Sequence, residues 1–273
     1  MDSLFVDPMA HLLAGSEGRR SPMGAWILVP RTRRGDDVLV EGYRAGCRQL
    51  VQLGAGMDAR AYRVFAKDAS SPPAAASADG SWRGGLKLDE LAVFEVDQAT
   101  TFDVKEPLLE GAPLTVKSRH AIAADFALRG DWADALVRGG FDFSIPTVWL
   151  LEGLLYYLKE DTVTEVMQTI GALSAPGSRV FHDSITSSYV AAGIAPGGAP
   201  FVSGSDEYAR LWKEHAGFEH TVVRDFRTIR VDRRARALAL DRNGKDQLTP
   251  AQCRGRELVL FVESHKVSGH GGL

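Results

Sequence analysis

Short apolar runs rich in β-branched residues recur along the chain, and stretches of helical character lie between them. Seven such runs predict strands, at residues 49–53, 91–97, 119–124, 147–153, 178–184, 220–226 and 257–265. The first five are almost continuously apolar, which is typical of strands buried on both faces of a parallel sheet. Regular alternation of strand and helix indicates right-handed crossovers. The sequence therefore predicts an α/β fold with a doubly wound, mostly parallel seven-stranded sheet.

The last two predicted strands differ from the others in how they are connected. Only a short Arg-rich stretch containing an Asn-Gly pair separates them. We expect these two strands to pair as an antiparallel edge of the sheet. A helix is predicted over residues 161–173, because a Ser-Ala-Pro-Gly stop signal follows it.

We expect residues 1–273 to form a single domain that carries two loop regions. Residues 67–85 are rich in Ala, Ser, Pro and Gly, which predicts a flexible surface loop inserted after the first helix. Residues 186–216 are predicted to form a loop and helix region on the substrate side. The glycines of its stretch 190–204 suit either a mobile loop near a substrate entrance or a plain connector.

Composition excludes several classes of protein. A hydrophobic content of 45% over 273 residues is ample for a core, and no apolar run is long enough to span a bilayer. The net charge of −3 favours neither nucleic acid nor an anionic membrane as a partner. Two isolated cysteines, Cys47 and Cys253, define neither a disulfide framework nor a zinc site, and we expect no bound metal. Because the N-terminus lacks the pattern of a signal peptide, the protein is expected to be cytoplasmic.

A glycine-rich turn is the strongest local motif. In VQLGAGMDARAYR the strand at residues 49–53 runs into Gly54 and Gly56, and a helical segment is predicted to follow. Glycine is needed where a chain turns tightly and where a ligand approaches the backbone. The N–H groups at the start of a helix would then point toward that ligand. A tight turn without a ligand is the alternative.

Two kinds of ligand use such a turn. A dinucleotide places its pyrophosphate at the helix N-terminus, and Ala59 at the third motif position does not exclude this. Asp58, however, would repel a pyrophosphate. S-adenosylmethionine carries a sulfonium and an amino acid end instead of phosphate, so nearby carboxylates are tolerated or useful. The sequence therefore favours the methyl donor over a nicotinamide cofactor, and the chain has no Tyr-x-x-x-Lys pattern that would favour an oxidoreductase.

Acidic residues follow the predicted strands at intervals of about one strand–helix unit. They are Asp97, Asp125, Glu152 and Asp183. In a doubly wound sheet these positions open on one rim, where ligands bind. Asp97, after the second strand, is placed to accept hydrogen bonds from ribose hydroxyls. Asp125, after the third, could accept one from an adenine amino group, and Glu152, after the fourth, could accept one from the ammonium of a methionine. Each acid alone could equally be a helix cap or a solvated charge.

Four motifs together resemble a known family. QLVQLGAGMDARAYR, FEVDQ, ADF followed by DWADAL, and WLLEGLLYYL are similar in order and spacing to the leucine carboxyl methyltransferase-like family, in particular to its bacterial-type S-adenosylmethionine-dependent O-methyltransferases. The resemblance covers most of the chain, from about Leu4 to Val262. It implies a class I methyltransferase, Rossmann-like fold and transfer of a methyl group, often to a carboxylate.

The resemblance also implies roles for particular residues. Arg31 matches the arginine that binds the methionine carboxylate, and Glu152 matches the acid near the ammonium. Gly54 and Gly56 line the methionine portion, Asp97 matches the ribose ligand, and Asp125 and Phe126 match the pair at the adenine. Arg33 and Glu95 are weaker candidates.

The acceptor and the catalytic groups are less defined by the sequence. We expect a small molecule with a carboxylate or hydroxyl, and nothing specific supports a protein substrate. A carboxylate acceptor needs no general base, whereas a hydroxyl acceptor would need one to remove its proton. His182 and His215, expected on loops near the rim, and Tyr157 are weak catalytic candidates, and Tyr156 beside it is a further aromatic residue. Family members usually have a longer segment before DSLFVDPMAHLLAG that closes over the site, so a non-catalytic protein lacking this lid is an alternative.

Overall fold

The computed structural model describes residues 6–19, 27–67, 75–76, 82–83, 85–126, 128, 130–194, 199–232, 237–239 and 246–267. Its strands are β1 (Gln49–Leu53), β2 (Ala75–Ala76), β3 (Trp82–Arg83), β4 (Leu88–Asp97), β5 (Val116–Ala123), β6 (Thr147–Leu151), β7 (Arg179–Ile185), β8 (His220–Asp225), β9 (Arg230–Asp232), β10 (Ala237–Ala239) and β11 (Val259–His265). Its α-helices are α1 (Ala10–Leu13), α2 (Gly15–Gly18), α3 (Leu28–Arg44), α4 (Ala99–Leu109), α5 (Asp131–Arg138), α6 (Glu160–Leu173), α7 (Ser187–Ala191), α8 (Tyr208–Ala216) and α9 (Pro250–Cys253).

One seven-stranded sheet organises the molecule. Its strand order is β5-β4-β1-β6-β7-β11-β8, and β11 runs antiparallel to both of its neighbours while the other pairs are parallel. The predicted α/β fold with a doubly wound, mostly parallel seven-stranded sheet is confirmed, including the expected Rossmann-like architecture. The last two predicted strands do pair antiparallel. The reversed strand is β11, one position in from the edge, and β8 is the edge itself.

The order of the strands places a ligand-binding crevice next to β1. From β1 the chain moves outward through β4 to β5, and it then returns to β6 on the other side of β1. Such a reversal leaves a crevice at the carboxyl ends of the two central strands. The glycine-rich turn that follows β1 therefore lies at the point where this fold binds ligands.

Two apolar layers cover the two faces of the sheet. Val51 and Leu53 of β1 pack into a cluster with α5, α6 and α8, whereas Leu50 packs into a cluster with α3 on the opposite face. Successive strand side chains point to opposite faces, so a strand buried on both sides must be apolar throughout. Each of these aliphatic side chains contributes about 1.5–3 kcal/mol when fully buried.

Most predicted elements agree with the structure to within three residues. β4 begins three residues before the predicted strand, at Leu88, and β5 begins three residues early, at Val116. α6 begins one residue early, at Glu160. Residue Asp183 was expected at the end of its strand, but β7 continues for two further residues to Ile185.

The segment after the glycine-rich turn differs from the prediction. The predicted helix is wrong, because the chain forms only a single 3-10 turn at Arg60–Tyr62. Arg60 and Arg63 direct their guanidinium groups inward to Asp36 on α3, at 2.8 and 2.7 Å. A regular helix would have carried these two side chains, three positions apart, along one of its own faces. The buried ion pairs instead fix an irregular backbone.

The two predicted loop regions lie partly outside the described residues. Within 67–85 only β2 and β3 are described together with the two end residues, and these short strands pair with each other. Within 190–204, residues 195–198 are not described. The flexibility predicted for both regions therefore stays a prediction, as does the single domain over 1–273. In the part of the chain that the structure describes, no helix is both long and apolar enough to cross a bilayer.

Candidate functional site

The glycine-rich turn leaves β1 with two residues in the left-handed region. The φ angles are +69° at Gly54 and +49° at Gly56, where side chains other than glycine are strained. A Cβ on Gly54 would also approach Leu154 to 3.1 Å. The N–H of Gly54 donates to the carbonyl of Val96 at 2.9 Å, which ties the turn to the end of β4.

Two cavities open beside this turn, each of about 370 Å³. The turn cavity is lined by five residues that it shares with the second cavity and, in addition, by Asp7, Ala10, Thr32, Gln52, Leu53, Ala55, Met57, Asp58 and Leu150. The aromatic cavity is lined by Ile27, Gly153, Tyr156, Tyr157, Asp183, Ile185, Tyr189, Phe201 and Val259, again with the shared residues. Both contain Leu28, Arg31, Gly54, Gly56 and Glu152. These five shared residues form a common wall, so the two cavities make one continuous cleft.

Arg31 reaches this wall from the first turns of α3. Its Nη1 donates to the carboxylate of Asp183 at 2.8 Å, while its buried Nε has no partner among the described residues. Burial alone would lower the pKa of Arg31, but the carboxylates of Asp183 and Glu152 outweigh it and hold that pKa above its usual value. Arg31 is therefore a fixed cation with a free donor at the cleft.

Glu152 reaches the wall from the residue after β6. Its Oε2 accepts from Nη1 of Arg60 at 2.6 Å, and its buried Oε1 has no partner among the described residues. Burial raises the pKa of this carboxyl, although Arg60 and Arg31 oppose the shift. The wall of the cleft thus contains one residue with an unused acceptor and one with an unused donor. This pairing suits a zwitterionic α-amino acid, whose carboxylate accepts and whose ammonium donates.

Asp97 lies at the end of β4, against the glycine-rich turn. One carboxylate oxygen accepts from the N–H of Gly56 at 2.7 Å, and the other accepts from the hydroxyl of Thr101 at 2.9 Å and from the N–H of Gln98 at 2.7 Å. The residue is neighbour to the cleft without lining either cavity. Its carboxylate therefore joins the turn to the first residues of α4.

Asp125 and Phe126 follow β5 at the same rim. The N–H of Ala124 donates to the carbonyl of Asp97 at 2.9 Å, which brings the ends of the two strands together. The backbone N–H of Asp125 points to the carboxylate of Asp131 at 3.3 Å, and the Phe126 ring lies 6.1 Å from the ring of Trp132. Asp97, Asp125 and Glu152 thus follow or end neighbouring parallel strands at the same edge of the sheet, although Asp125 and Phe126 line neither cavity.

Asp183 is fully buried behind Arg31. Its carboxylate accepts from the N–H of Gly153 at 2.6 Å, from Nη1 of Arg31 at 2.8 Å and from the hydroxyl of Tyr156 at 3.1 Å. With three donors satisfied, Asp183 is suited to orient Arg31 rather than to meet a ligand itself.

A family model described as "Leucine carboxyl methyltransferase" matches residues 2–70 and 81–171, more than half of the 273 residues. The chain belongs to the leucine carboxyl methyltransferase family. The segments that match the family model contain every predicted cofactor residue: Arg31, Gly54, Gly56, Asp97, Asp125, Phe126 and Glu152. The gap between them falls inside the predicted insertion 67–85, which is consistent with the insertion being peculiar to this chain.

Curated relatives carry compatible names. A protein of Mycolicibacterium gilvum, provisionally named an S-adenosyl-L-methionine-dependent methyltransferase, is 38% identical over 67% of this chain and 56% of its own length. One of Streptomyces avermitilis with the same provisional name is 36% identical over 66% of this chain and 61% of its own length. This member of the leucine carboxyl methyltransferase family thus spans less than two thirds of the length of either relative.

A solved structure resembles the whole fold. A DUF574 family protein of Streptomyces avermitilis superimposes with a TM-score of 0.53, covering 94% of this chain and 95% of its own, at 14% sequence identity. At that identity the likeness concerns the fold alone. It shows that this leucine carboxyl methyltransferase family member has a backbone arrangement already observed by crystallography.

Two weaker candidates for this family's cofactor site have structural partners instead. Glu95 is fully buried and accepts from Lys105 at 2.6 Å and from Arg119 at 2.7 Å. Arg33 is buried and pairs with Asp37 at 3.0 Å. Neither lines a cavity of the cleft, so Arg31 is the arginine of this motif that the structure brings to it.

The expected positions of the two histidines are wrong. His182 lies inside β7, not on a loop, and is fully buried; its Nε2 accepts from the indole N–H of Trp212 at 2.9 Å. Burial lowers its pKa to about 4. His215 lies in the last turn of α8, which leads to the first residue of β8 and hence to the opposite end of the parallel strands. Of the three catalytic candidates, only Tyr157 lines the aromatic cavity.

Sequence reasoning missed a buried polar network beneath the turn. Gln52, Asp58 and Arg60 lie here, with Asp36 of α3 as a further partner; Arg60 pairs with both acids as well as with Glu152. A signal was present in the sequence, because Gln52 interrupts an otherwise apolar run two residues before Gly54. Polar residues inside a buried strand need partners, and such positions point to a network or a ligand.

The cysteines lie away from the cleft. Cys47 and Cys253 are buried and free, and burial raises the pKa of Cys47 to about 11. Among the described residues, no three His, Cys, Asp or Glu side chains are grouped so that they could hold a metal ion.

Proposed function

We propose that this chain is an S-adenosylmethionine-dependent O-methyltransferase that acts on a carboxylate or hydroxyl of a small molecule. The observation that carries the proposal is the common wall of the cleft. There the free donor of Arg31 and the free acceptor of Glu152 lie between a cavity at the glycine-rich turn and a cavity lined by aromatic residues. Family membership and the provisional names of the two relatives support it.

The turn cavity would hold the amino acid end of the methyl donor. Arg31 would meet the carboxylate and Glu152 the ammonium, each through the atom that lacks a protein partner. A buried atom without a partner costs about 1–3 kcal/mol, and a ligand that satisfies it recovers that free energy. The open backbone of Gly54 and Gly56 would pass beneath the chain that joins the amino acid to the sulfur.

The rim beside the turn would hold the adenosine. Asp97 retains lone pairs for ribose hydroxyls in addition to its three protein donors. The neighbouring Asp125 side chain and the Phe126 backbone would meet the adenine. A pyrophosphate fits this site poorly, because Asp58, Asp97 and Glu152 would all repel it. This repulsion disfavours the nicotinamide alternative.

The aromatic cavity would hold the acceptor. The Phe201 ring lies 4.5 Å from the ring of Tyr156, 5.3 Å from that of Tyr157 and 6.0 Å from that of Tyr189. Such a lining favours an apolar or aromatic body on the acceptor. When bound, S-adenosylmethionine supplies a methyl group on a sulfonium, and the protein contributes alignment and exclusion of water.

A carboxylate is the acceptor group that the lining favours. Burial raises the pKa values of Tyr156, Tyr157 and Tyr189, so their phenols stay protonated near neutral pH. Asp183 is occupied by three donors. Glu152, the other carboxylate of this lining, is assigned to the ammonium of the methyl donor, and the described lining contains no histidine that could deprotonate a hydroxyl. A carboxylate is already anionic and needs no such base.

Calorimetry with S-adenosylhomocysteine, the demethylated cofactor, tests the proposal directly. We expect stoichiometric binding by a folded sample and no binding of NAD under the same conditions. Absence of binding at millimolar ligand would contradict the proposal and would favour a non-catalytic role for the fold.

Transfer of a labelled methyl group tests the acceptor class. We expect apolar monocarboxylic acids to be methylated and their amides, which have nearly the same shape without charge, to be inert. Tyr157→Phe should leave turnover of the acids unchanged, since a carboxylate needs no proton transfer. Methylation of phenols with loss of activity in Tyr157→Phe would move the assignment to a hydroxyl acceptor.

A further inference from the structure

Gln52 is a polar residue at the carboxyl end of β1, two positions before Gly54. It is almost completely buried, at 3% exposure, and it lines the turn cavity. Its Oε1 has no hydrogen-bond partner among the described residues. A buried amide oxygen in this state is costly unless a ligand or water satisfies it.

Gln49 lies on the same strand and provides a comparison, because the protein itself satisfies its amide group. Its Nε2 donates to the carbonyl of Asp142 at 2.7 Å and to the hydroxyl of Thr147 at 3.0 Å, and its Oε1 accepts from the N–H of Asp142 at 2.9 Å. Both ends of the Gln49 amide are satisfied by the protein. Gln52 differs from it in keeping one end free, at the cleft.

The orientation of the Gln52 amide follows from its neighbour. The Gln52 side chain lies beside Asp58 and is one of the groups that lower the pKa of that carboxyl. A carboxylate can only accept, so the NH₂ group of the amide faces Asp58 and the oxygen faces away from it. Gln52 and Glu152 both line the turn cavity, so its wall contains two buried side-chain oxygens without a partner among the described residues.

We infer that Gln52 is a further ligand of the methyl donor, and that its Oε1 accepts a hydrogen bond from the donor's ammonium group beside Glu152. This inference rests on the proposed function. An ammonium has three N–H donors, and one carboxylate oxygen leaves two of them unused. Gln52 supplies a second acceptor without adding negative charge next to Asp58 and Glu152.

The test compares two ligands on one variant. Gln52→Met keeps the length of the side chain and removes the amide. S-adenosylhomocysteine carries the ammonium, and its deamino analogue keeps the carboxylate and lacks it. We expect Gln52→Met to bind S-adenosylhomocysteine about tenfold or more weakly, because a hydrogen bond to a charged group is lost, and to bind the deamino analogue as the wild type does.

Two further variants serve as controls. Gln168→Met makes the same chemical change on the exposed face of α6 and should alter neither affinity. Gln52→Asn withdraws the amide by one methylene and should also weaken only S-adenosylhomocysteine, which keeps the test available if Gln52→Met does not fold. Circular dichroism and thermal unfolding establish that each variant is folded.

The outcomes separate this inference from the proposed function. Unchanged affinity for S-adenosylhomocysteine in both Gln52 variants would overturn the inference, and so would an equal loss for both ligands, which indicates a structural role. In either case the wild type still binds the cofactor, and the proposed function stands. Failure of the wild type to bind either ligand would overturn both.

Discussion

Arg60 holds Glu152 across 92 residues of sequence, with its Nη1 atom 2.6 Å from the glutamate Oε2. The same guanidinium pairs with Asp36 on α3 and with Asp58 in the glycine-rich turn. One buried cation therefore fixes the acid of the cleft relative to both the turn and the helix that carries Arg31. The position of Glu152 depends on this network as much as on the end of β6.

Removal of Arg60 should destabilise the fold. Arg60→Met leaves the buried Asp36 and the partly buried Asp58 and Glu152 without their shared partner, and breaking a buried ion pair costs about 3–5 kcal/mol. Urea unfolding should show this loss. Arg210 pairs with Glu207 and Glu214 on the exposed surface of α8, so Arg210→Met should change the unfolding midpoint little. Equal effects of the two substitutions would contradict the role given to Arg60.

Arg31 and Arg33 should differ in their effect on cofactor binding, although each makes an ion pair with a buried carboxylate. Arg31→Met removes the free donor of the cleft, and we expect the binding free energy of S-adenosylhomocysteine to fall by about 2–5 kcal/mol. Arg33→Met breaks the buried pair with Asp37, which should lower stability and leave the affinity unchanged. Calorimetry and thermal unfolding of both variants check this. A loss of affinity in Arg33→Met would return Arg33 to the cofactor site.

Asp97 should affect both the cofactor and the glycine-rich turn. Asp97→Ala should weaken cofactor binding by about 1.5–3 kcal/mol for each charged hydrogen bond lost. Hydrogen exchange at the Gly56 amide should become faster, because that N–H loses its acceptor. Asp103→Ala on the exposed side of α4 is the matched control. Wild-type affinity in Asp97→Ala would remove Asp97 from the site.

His182 should make stability depend on pH. Its pKa is lowered to about 4 in the folded protein, against about 6.5 in the unfolded chain. Between these values the unfolded chain binds the proton and the folded protein does not, so stability falls as the pH drops from 6.5 to 4, by about 3 kcal/mol at most. Burial raises the pKa of Asp37 to about 6, which acts in the opposite direction in the same range.

The contribution of His182 is isolated by difference. His182→Gln keeps an acceptor for the indole N–H of Trp212 and removes the titration. Denaturant midpoints of the wild type and the variant should converge as the pH falls from 6.5 to 4, because only the wild type loses the stability that depends on a neutral His182. Parallel pH profiles would show that the pKa of His182 is the same in the folded protein and in the unfolded chain.

The sequence predicted the strands of the sheet well because their burial on two faces leaves an unambiguous pattern. The buried strand β1 and the glycines after it are local features of the sequence, and both were interpreted correctly. The helix expected after the turn was not formed. The conformation of the segment after the turn depends on the ion pairs of Arg60 and Arg63 with Asp36, which lies more than twenty residues away in the chain. No local periodicity records such a contact.

The candidate site was predictable where position alone decides it. Glu152 and Asp97 follow strands whose carboxyl ends must meet, so their neighbourhood was set by topology. His182 could not be interpreted in this way. Whether a polar residue inside a strand faces the core or the rim depends on α8, whose Trp212 supplies its partner. Gln52 raises the same ambiguity, and only the packing around it shows which end of its amide stays free.

The two cavities that meet at the common wall each have lining residues that the other lacks. Ile27, Tyr157, Phe201 and Val259 line only the aromatic cavity, whereas Gln52 and Asp58 line only the turn cavity. Under the proposed function, substitutions in the first group would change which acceptor is methylated without disturbing the binding of the methyl donor. A scaffold partitioned in this manner can diversify its chemistry during evolution through one set of positions while the other stays constant.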